Sequence, residues 1–430
     1  MTDKPNVSFV RHEPIPPSPP PIAQTGAIKW VRENLFSNVT NSVLTILSIY
    51  FVAKLVLASA PWIWNGVWTT DSLRECRDVL QGTSGACWSV LAERWNQMLF
   101  GFKYPVEGYW RPTLAFVLLL VSIAPILFKK LPRKMLIMSA IYPFLTFWLI
   151  WGGTILTPLV VAVALILAFM AFVRMERQVG FITGLASSVV CASAILYFGG
   201  YITAAIPGFI ALEPVASRDM GGFMLNLILG TICVSLSIPL GILLALGRQS
   251  NMPIIKGICV VFIEFIRGVP LITLLFVANV VLSYFFPPGT NLDLILRVII
   301  MITLFSSAYI AEVIRGGLAA LPRGQYEAAD SLGLDYPQAM RLIILPQALK
   351  ISIPGIVNVA VGLFKDTTLV SVISMFDLVG MIRGPISSST AWTGIYWELY
   401  LFAIILFFVV CYCISQYSQW LERQLRTDHH

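Results

Sequence analysis

Residues 327–346 read EAADSLGLDYPQAMRLIILP, a largely polar stretch that interrupts a strongly apolar chain. The first part predicts a short helix from Gln325 to Leu332 that ends at Gly333, because glycine readily adopts the left-handed conformation that follows many helix ends. Pro337 then suits the first turn of a second short helix. Long apolar runs flank the stretch on both sides. We therefore predict two short helices outside the membrane, between spanning segments.

The composition is that of a polytopic membrane protein. Hydrophobic residues make up 57% of the chain and charged residues only 12%, and the mean hydropathy is +0.80. Apolar runs of about 20 residues recur, which is long enough to cross a hydrocarbon core as a helix. The alternation expected of membrane-spanning strands is absent. Residues 1–26 are polar and Pro-rich, so they do not resemble a cleavable signal peptide.

The apolar runs predict an all-α fold with about ten transmembrane helices, five before Gly221 and five after it. The predicted spans are approximately Val39–Trp62, Pro112–Phe128, Met135–Trp151, Thr154–Val173, Val179–Thr203, 222–246, 258–286, 292–314, 347–364 and 398–417. A mixed stretch, 365–397, lies between the last two spans. Residues 69–111 form the one long polar loop of the N-terminal half.

Positive charges indicate the orientation of these spans. The clusters at 129–134 and 174–177 together carry six Lys and Arg residues, whereas the turn at Gly152-Gly153 carries none. Excess Lys and Arg mark cytoplasmic loops. The net charge of +7 is therefore explained without a nucleic-acid partner. We expect the Pro-rich tail 1–26 and the C-terminus to be cytoplasmic and loop 69–111 to lie outside.

The cysteines and histidines give little reason to expect metal chemistry. Five of the seven cysteines lie in apolar runs, where core packing is their usual role. The chain has only three histidines, and no cysteine pair has zinc-ligand spacing with them. If loop 69–111 faces an oxidising compartment, the spacing of Cys76 and Cys87 allows a disulfide without requiring one.

The spacing EAA-x3-G-x9-I-x-LP resembles the EAA motif of ABC importer permeases at every position. The matching residues are Glu327, Ala328, Ala329, Gly333, Leu345 and Pro346. Residues 262–271, 309–317 and 364–371 also resemble segments of the polar amino-acid branch, the histidine/glutamine type, with Val269 and Thr368 as departures. The extra N-terminal helices resemble the longer permease of general L-amino-acid transporters. This resemblance covers 222–420 most closely.

The resemblance implies a bacterial inner-membrane subunit with a permease core at 222–430 and a cytoplasmic coupling loop at 315–346. The N-terminal membrane region would then be 27–221, with loop 69–111 in the periplasm. The implied partners are an ABC ATPase dimer, a second homologous permease in a heterodimer and a periplasmic amino-acid-binding protein. ATP and Mg would bind only to the ATPase, because this chain has no Walker A sequence. We therefore expect a transport subunit that is not itself an enzyme.

Two pairs of charged residues are candidates for the translocation path. Glu264 and Arg267 are three apart at the end of an apolar run, and Lys365 and Asp366 are followed by Thr367 and Thr368. A zwitterionic amino acid requires both donors and acceptors along its path, which such pairs supply. For each pair alone, a structural ion pair remains the preferred interpretation. Glu312 and Arg315 form a similar pair on one helix face.

Two other classes of protein compete with the importer permease. A stand-alone ion-coupled secondary transporter would use intramembrane acidic residues, and Glu264 and Glu398 fit that description. Such transporters are commonly built from inverted repeats, and no repeat is evident. This alternative also leaves the Glu327 motif unexplained. The third possibility is a membrane scaffold that binds an ATPase without transporting anything.

Overall fold

A computed structural model describes residues 26–128, 130–206, 208–281, 284 and 292–425. Helices dominate this part of the chain. In chain order the α-helices are α1 (Gly26–Asn34), α2 (Val39–Trp64), α3 (Leu73–Leu80), α4 (Ser89–Phe100), α5 (Trp110–Leu127), α6 (Leu136–Trp151), α7 (Leu156–Gln178), α8 (Phe181–Ala205), α9 (Gly222–Gln249), α10 (Pro253–Gly268), α11 (Leu271–Phe276), α12 (Leu294–Ala319), α13 (Arg323–Ser331), α14 (Tyr336–Ala339), α15 (Leu345–Asp366), α16 (Leu378–Met381) and α17 (Trp397–Leu425). The predicted Pro-rich tail up to residue 25 lies outside the described residues.

The predicted all-α membrane fold is confirmed. Nine helical segments of the described residues are long and apolar enough to cross a membrane, and the pair α10–α11 is a tenth candidate. The one small sheet found in this part of the chain joins β1 (Gly153–Thr154) to β2 (Ala211–Leu212) in antiparallel register. The count of about ten spans therefore agrees with the sequence.

The predicted span over 258–286 is broken within the described residues, and its last part lies outside them. Helix α10 and the helical segment Leu271–Val281 meet at an angle of 103°. Pro270 lies at the break, where it supplies no N–H and disfavours the helical conformation of the residue before it. That residue, Val269, is accordingly extended, with φ −105° and ψ 132°. The last turn of α10, just before the bend, lies close to α12, with Arg267 Nη1 3.4 Å from Glu312 Oε2.

Two stretches that the sequence left without structure contain helices. The predicted loop 69–111 holds α3 and α4, and α4 packs against α9, α16 and α17. The mixed stretch 365–397 contains a 3₁₀ helix (Thr367–Ile373), then α16, then a π-helix (Ile382–Ile386). Their short lengths explain why periodicity did not reveal them.

Contacts divide the described residues into two compact units. The first comprises residues 26–67 and 76–87. Within it a disulfide joins Cys76 to Cys87, with a Cα–Cα distance of 6.0 Å, and the Ala86 N–H donates to the Trp62 carbonyl. Helix α2 has no buried residue in this unit. The second unit comprises residues 68–75 and 88–425.

The second unit contains two large apolar clusters. One joins α9, α11, α12 and the 3₁₀ helix after α15 with residues of α5 and α6, and Leu225, Leu229 and Ile302 are fully buried in it. The other lies among α9, α10, α12 and α15, with Ile263, Ile310 and Ile314 at its centre. The second cluster supports the coupling stretch. The predicted division of the chain at residue 221 remains a prediction from sequence.

Candidate functional site

The predicted coupling stretch begins one short turn after α12. Helix α12 ends at Ala319, and α13 starts at Arg323 after an extended Pro322. Glu327 and Ala328 on α13 are exposed, whereas Ala329 is completely buried within the chain itself. The two alanines of the motif therefore lie in different surroundings. Of the three residues Glu327, Ala328 and Ala329, the first two are open to another molecule.

The turn after α13 has the geometry that its glycine predicts. Gly333 has a φ of +68°, and its N–H donates to the Asp330 carbonyl. The Leu334 N–H donates to the Ala329 carbonyl at 3.3 Å, which closes the end of the helix. Asp335 then caps α14 by accepting from the Gln338 N–H at 2.8 Å. The local sequence thus fixes the direction in which the chain turns back.

Helix α13 is attached to the helices behind it by a hydrogen bond and by apolar packing. Gln347 Nε2 donates to Gln325 Oε1 at 2.9 Å, which links α15 to α13. The ring of Tyr326 packs against the cluster that contains Ile314 and Ile344. Burial raises the pKa of the Tyr326 phenol, and the nearby Tyr336 raises it further. These contacts hold α13 against the ends of α12 and α15.

The Ile-x-Leu-Pro part of the motif forms a π-turn. Residues Met340–Ile344 are π-helical, and the Leu345 N–H donates to the Met340 carbonyl. Pro346 follows in the first turn of α15, where it lacks an N–H and its ring would clash with the carbonyl four residues earlier. The wider turn accommodates this proline without ending the helix. Helical structure consequently continues from Tyr336 to Ile373.

Small residues bring α12 and α15 into close contact beside α13. A methyl group added to Gly317 would lie 2.6 Å from the Ala348 carbonyl oxygen. Ser352 Oγ on α15 donates to the Val313 carbonyl on α12 at 3.3 Å. Close helix packing through small residues is common in membranes. The start of α15 and the end of α12 therefore form one tightly packed support for α13.

The candidate path pair Glu264–Arg267 belongs to a cluster of five charged residues. Its members, which we call the charged cluster, are Arg248 of α9, Glu264 and Arg267 of α10, and Glu312 and Arg315 of α12. The carboxylate of Glu312 lies within 4 Å of all three arginines. The Arg267 guanidinium also lies 5.9 Å from the centre of the Tyr309 ring. The two pairs expected from spacing are thus parts of one arrangement that crosses three helices.

Arg248 is the member of the charged cluster that the sequence did not reveal. It lies near the end of α9, and its Nη1 is 2.9 Å from Glu264 Oε1 and 3.3 Å from Glu312 Oε2. In the sequence it is only an arginine at the end of an apolar run. No local spacing connects it to residues on α10 and α12, so only the packing of the helices identifies its role.

The other candidate path residues do not share one environment. Lys365 is exposed, Asp366 and Thr368 are half-buried, and Thr367 is completely buried. The Thr368 hydroxyl donates to the Lys365 carbonyl, a contact within one turn. Among the described residues, no hydrogen bond or ion pair joins these four side chains to Glu264 or Arg267. A direct role for either set in the path remains a prediction.

Thr367 instead leads to a buried polar cluster that the sequence did not predict. Asn226 Nδ2 of α9 donates to Thr367 Oγ1 at 2.9 Å and to Asp377 Oδ2 at 3.2 Å. The Asp377 carboxylate also accepts from the N–H groups of Val379 and Gly380, which caps α16. Burial raises the pKa of Asp377 to about 6, although these hydrogen bonds lower it. Asn226 and Asp377 are too distant in sequence for any pattern to pair them.

Comparison with known proteins gives consistent results over most of the chain. Residues 237–427 match the family described as "Binding-protein-dependent transport system inner membrane component". The chain is 52% identical over 99% of its length to the glutamate/glutamine/aspartate/asparagine transport system permease protein BztC of Rhodobacter capsulatus, of which it covers 99%. It is 39% identical to the inner membrane amino-acid ABC transporter permease protein YhdY of Escherichia coli, with 96% of each chain covered.

A solved structure is also similar to about half of this chain. It is described as "Crystal structure of an amino acid ABC transporter with histidines" and shares 33% identity, with a TM-score of 0.43. The similar region covers 47% of this chain and 92% of that one.

Proposed function

This chain belongs to the family of permease subunits of amino-acid ABC transporters, and from that premise we propose that it carries polar L-amino acids through a bacterial inner membrane. The relative from Rhodobacter capsulatus is named for glutamate, glutamine, aspartate and asparagine, and the match extends along both chains. An ion-coupled transporter acting alone is disfavoured by this family membership. The proposed substrates are the same acidic and amide amino acids.

The observation that carries the mechanism is the exposed surface of the coupling stretch. Glu327 and Ala328 are open on α13, and the apolar side chains of Leu332, Tyr336 and Leu342 are 73%, 60% and 64% exposed. Large apolar side chains gathered in one short polar segment favour a protein partner. We infer that an ATPase subunit covers this surface. Glu327 would meet an arginine or backbone N–H groups of that subunit.

The proposed cycle begins with the ATPase, which moves α13 and the packed ends of α12 and α15 behind it. ATP and Mg bind to a separate ATPase dimer, whose closure moves α13. The close packing of α12 on α15 then transmits the movement to the membrane helices. The translocation path opens toward the periplasm and receives an amino acid from a binding protein. ATP hydrolysis returns the permease to its inward-facing state. A second, homologous permease completes the translocation path in this proposal.

The proposed orientation places α13 and both chain termini in the cytoplasm. The positive clusters between the N-terminal spans support this orientation, since Lys and Arg are enriched in cytoplasmic loops. The disulfide between Cys76 and Cys87 supports it independently, because such bonds persist in oxidising compartments such as the periplasm. Residues 69–111 would then face the binding protein.

Co-purification is the first test of this proposal. The chain would be extracted gently from its native membrane, and the accompanying proteins identified by mass spectrometry. We expect an ATPase subunit in about twofold amount and a second permease, as a two-fold or pseudo-two-fold assembly requires. A stable chain without any ATPase, which takes up amino acids on an ion gradient alone, would exclude the proposal.

A charge reversal on α13 tests the coupling surface itself. Glu327→Lys should leave the chain in the membrane but abolish ATP-driven uptake of glutamate, because a lysine repels a cationic partner. Glu33→Lys is the matched control, since Glu33 on α1 is also exposed and the charge change is identical. Normal uptake by Glu327→Lys would rule out this role for Glu327.

A further inference from the structure

The charged cluster connects three helices through two carboxylates. Arg248 Nη1 lies 2.9 Å from Glu264 Oε1 and 3.3 Å from Glu312 Oε2, so it joins α9 to both α10 and α12. Arg267 Nη1 lies 3.4 Å from Glu312 Oε2, which adds a second link between α10 and α12. Arg315 contacts Glu312 from the same helix. The cross-helix contacts therefore depend on Arg248, Arg267 and the carboxylates between them.

The position of this cluster relates it to both the coupling stretch and the broken span. Glu312 lies about two turns before the end of α12, and α13 starts only four residues after that end. Glu264 and Arg267 occupy the last turns of α10, immediately before the 103° bend. The cluster thus lies between the element that would receive the movement and the bent pair α10–α11.

The charged cluster has more arginines than carboxylates, which would allow contacts to be exchanged if the helices move. Three arginines share two carboxylates, and Glu312 already contacts three partners while Glu264 contacts two. If α10 shifts against α12, either carboxylate can lose one arginine and retain another. Glu312, whose side chain is 22% exposed, would be costly to leave without a partner, whereas Glu264 is exposed. The surplus of arginines avoids that state, so the helices can exchange partners during a shift.

We propose that Arg248 and Glu312 are positioning residues for transport, which hold the ends of α9, α10 and α12 together so that displacement of α13 reaches the α10–α11 bend. This inference rests on the proposed docking of an ATPase on α13. Without the cross-helix contacts, α12 can move while α10 stays in place. ATP hydrolysis then continues, but fewer amino acids are transported for each ATP consumed.

The test uses the complete transporter in proteoliposomes, with glutamate uptake and ATP hydrolysis measured on the same preparation. Arg248→Gln and Glu312→Gln should each lower uptake per ATP by about fivefold or more, the range of typical coupling energies, while the ATPase still co-purifies. Arg315→Gln is the comparison variant. Like Arg248→Gln, it removes one arginine that contacts Glu312, but this contact lies within α12. Its effect on uptake per ATP should therefore be clearly smaller.

A conservative variant separates positioning from folding. Arg248→Lys retains a positive charge between the two carboxylates, so it should recover at least half of the uptake per ATP that Arg248→Gln loses. If Arg248→Gln reduces the amount of complex, the uptake per ATP of Arg248→Lys and of Arg248→Gln, each measured on assembled transporter, still distinguishes the two explanations. No recovery with lysine, or equal uptake per ATP in Arg248→Gln, Arg315→Gln and the unaltered protein, would overturn the inference.

The two proposals fail in different ways. If the unaltered chain binds no ATPase or shows no ATP-driven uptake, the proposed function is wrong. If the unaltered transporter is coupled and Arg248→Gln and Glu312→Gln are equally well coupled, only the positioning role is wrong.

Discussion

Gln347 donates a hydrogen bond of 2.9 Å to Gln325, which joins the first turn of α15 to the first turn of α13. The same Nε2 group also donates to the Ile343 carbonyl at 3.0 Å, so the amide is held from both sides. Neither glutamine lies within the motif at 327–346. Their contact is the polar link between the coupling helix and the membrane helix behind it.

Loss of this amide should loosen α13. Gln347→Ala removes a half-buried hydrogen bond, which is typically worth about 1 kcal/mol. We expect hydrogen exchange of the α13 amides to become about fivefold faster, with the rest of the second unit unchanged. Gln338→Ala is the control, because that side chain is exposed on α14. Equal exchange rates in both variants would show that the Gln347–Gln325 contact does not hold α13.

Two adjacent glycines offer a matched test of the α12–α15 contact. A methyl group at Gly317 would meet the Ala348 backbone, whereas one at Gly316 would find nothing within 4 Å. We expect Gly317→Ala to lower the free energy of unfolding by about 1–3 kcal/mol, as overpacking does. Gly316→Ala should be neutral or slightly stabilising, because alanine is the better helix former. Thermal unfolding of the purified transporter measures both.

If the two alanine variants unfold at the same temperature, α12 and α15 are not in close contact at Gly317. Transport gives a second readout for the same pair. Gly317→Ala should reduce ATP-driven uptake, since the support of α13 is displaced, whereas Gly316→Ala should retain it.

The bond between Cys76 and Cys87 predicts a pattern of thiol labelling. Without reduction, neither cysteine should react with a maleimide reagent that adds mass, and both should react after reduction and unfolding. The control is Cys413, a free cysteine that should react after unfolding whether or not the protein has been reduced. Replacing both bonded cysteines with serine should destabilise the local fold by about 2–3 kcal/mol, the range for a short loop. Reaction of Cys76 without reductant would show that the bond does not form.

The membrane helices were predictable because their signal is local. Length and apolar content alone located the spans, and Gly333 and Pro337 marked the turn between the short helices of the coupling stretch. The break at Pro270 also had a local signal, but the apolar run continues through it and suggested one span over 258–286. Hydropathy does not register this break, because Pro270 changes the backbone conformation without interrupting the apolar run.

The polar arrangements were not predictable, because they depend on how distant helices pack. Spacing suggested Glu264–Arg267 and Glu312–Arg315 as separate pairs, yet Arg248 joins them from another helix. Helix α4 was missed for a related reason: a helix of 12 residues in a mixed-charge loop has little apolar periodicity. Its partners lie on α9, α16 and α17, far along the chain.

Asp377 gives a pH-dependent prediction with a definite sign. Burial raises its pKa from 3.8 to about 6, so the folded protein holds this proton more tightly than the unfolded chain does. The contribution of Asp377 to stability is therefore greatest below about pH 4, falls as the pH rises to about 6, and is constant above that. The shift corresponds to about 3 kcal/mol, because one pKa unit is about 1.4 kcal/mol.

Asp377→Asn should remove this dependence while preserving one acceptor oxygen for the N–H groups of α16. Melting temperatures would be compared between pH 4 and pH 7 for the variant and the unaltered protein. Relative to the variant, the unaltered protein should lose stability as the pH rises from 4 to 6. Asp335→Asn is the control, because Asp335 also caps a helix but is exposed, so the pH dependence should remain. If the curves for Asp377→Asn and the unaltered protein are parallel over this range, the proton on Asp377 does not contribute to the stability of the fold.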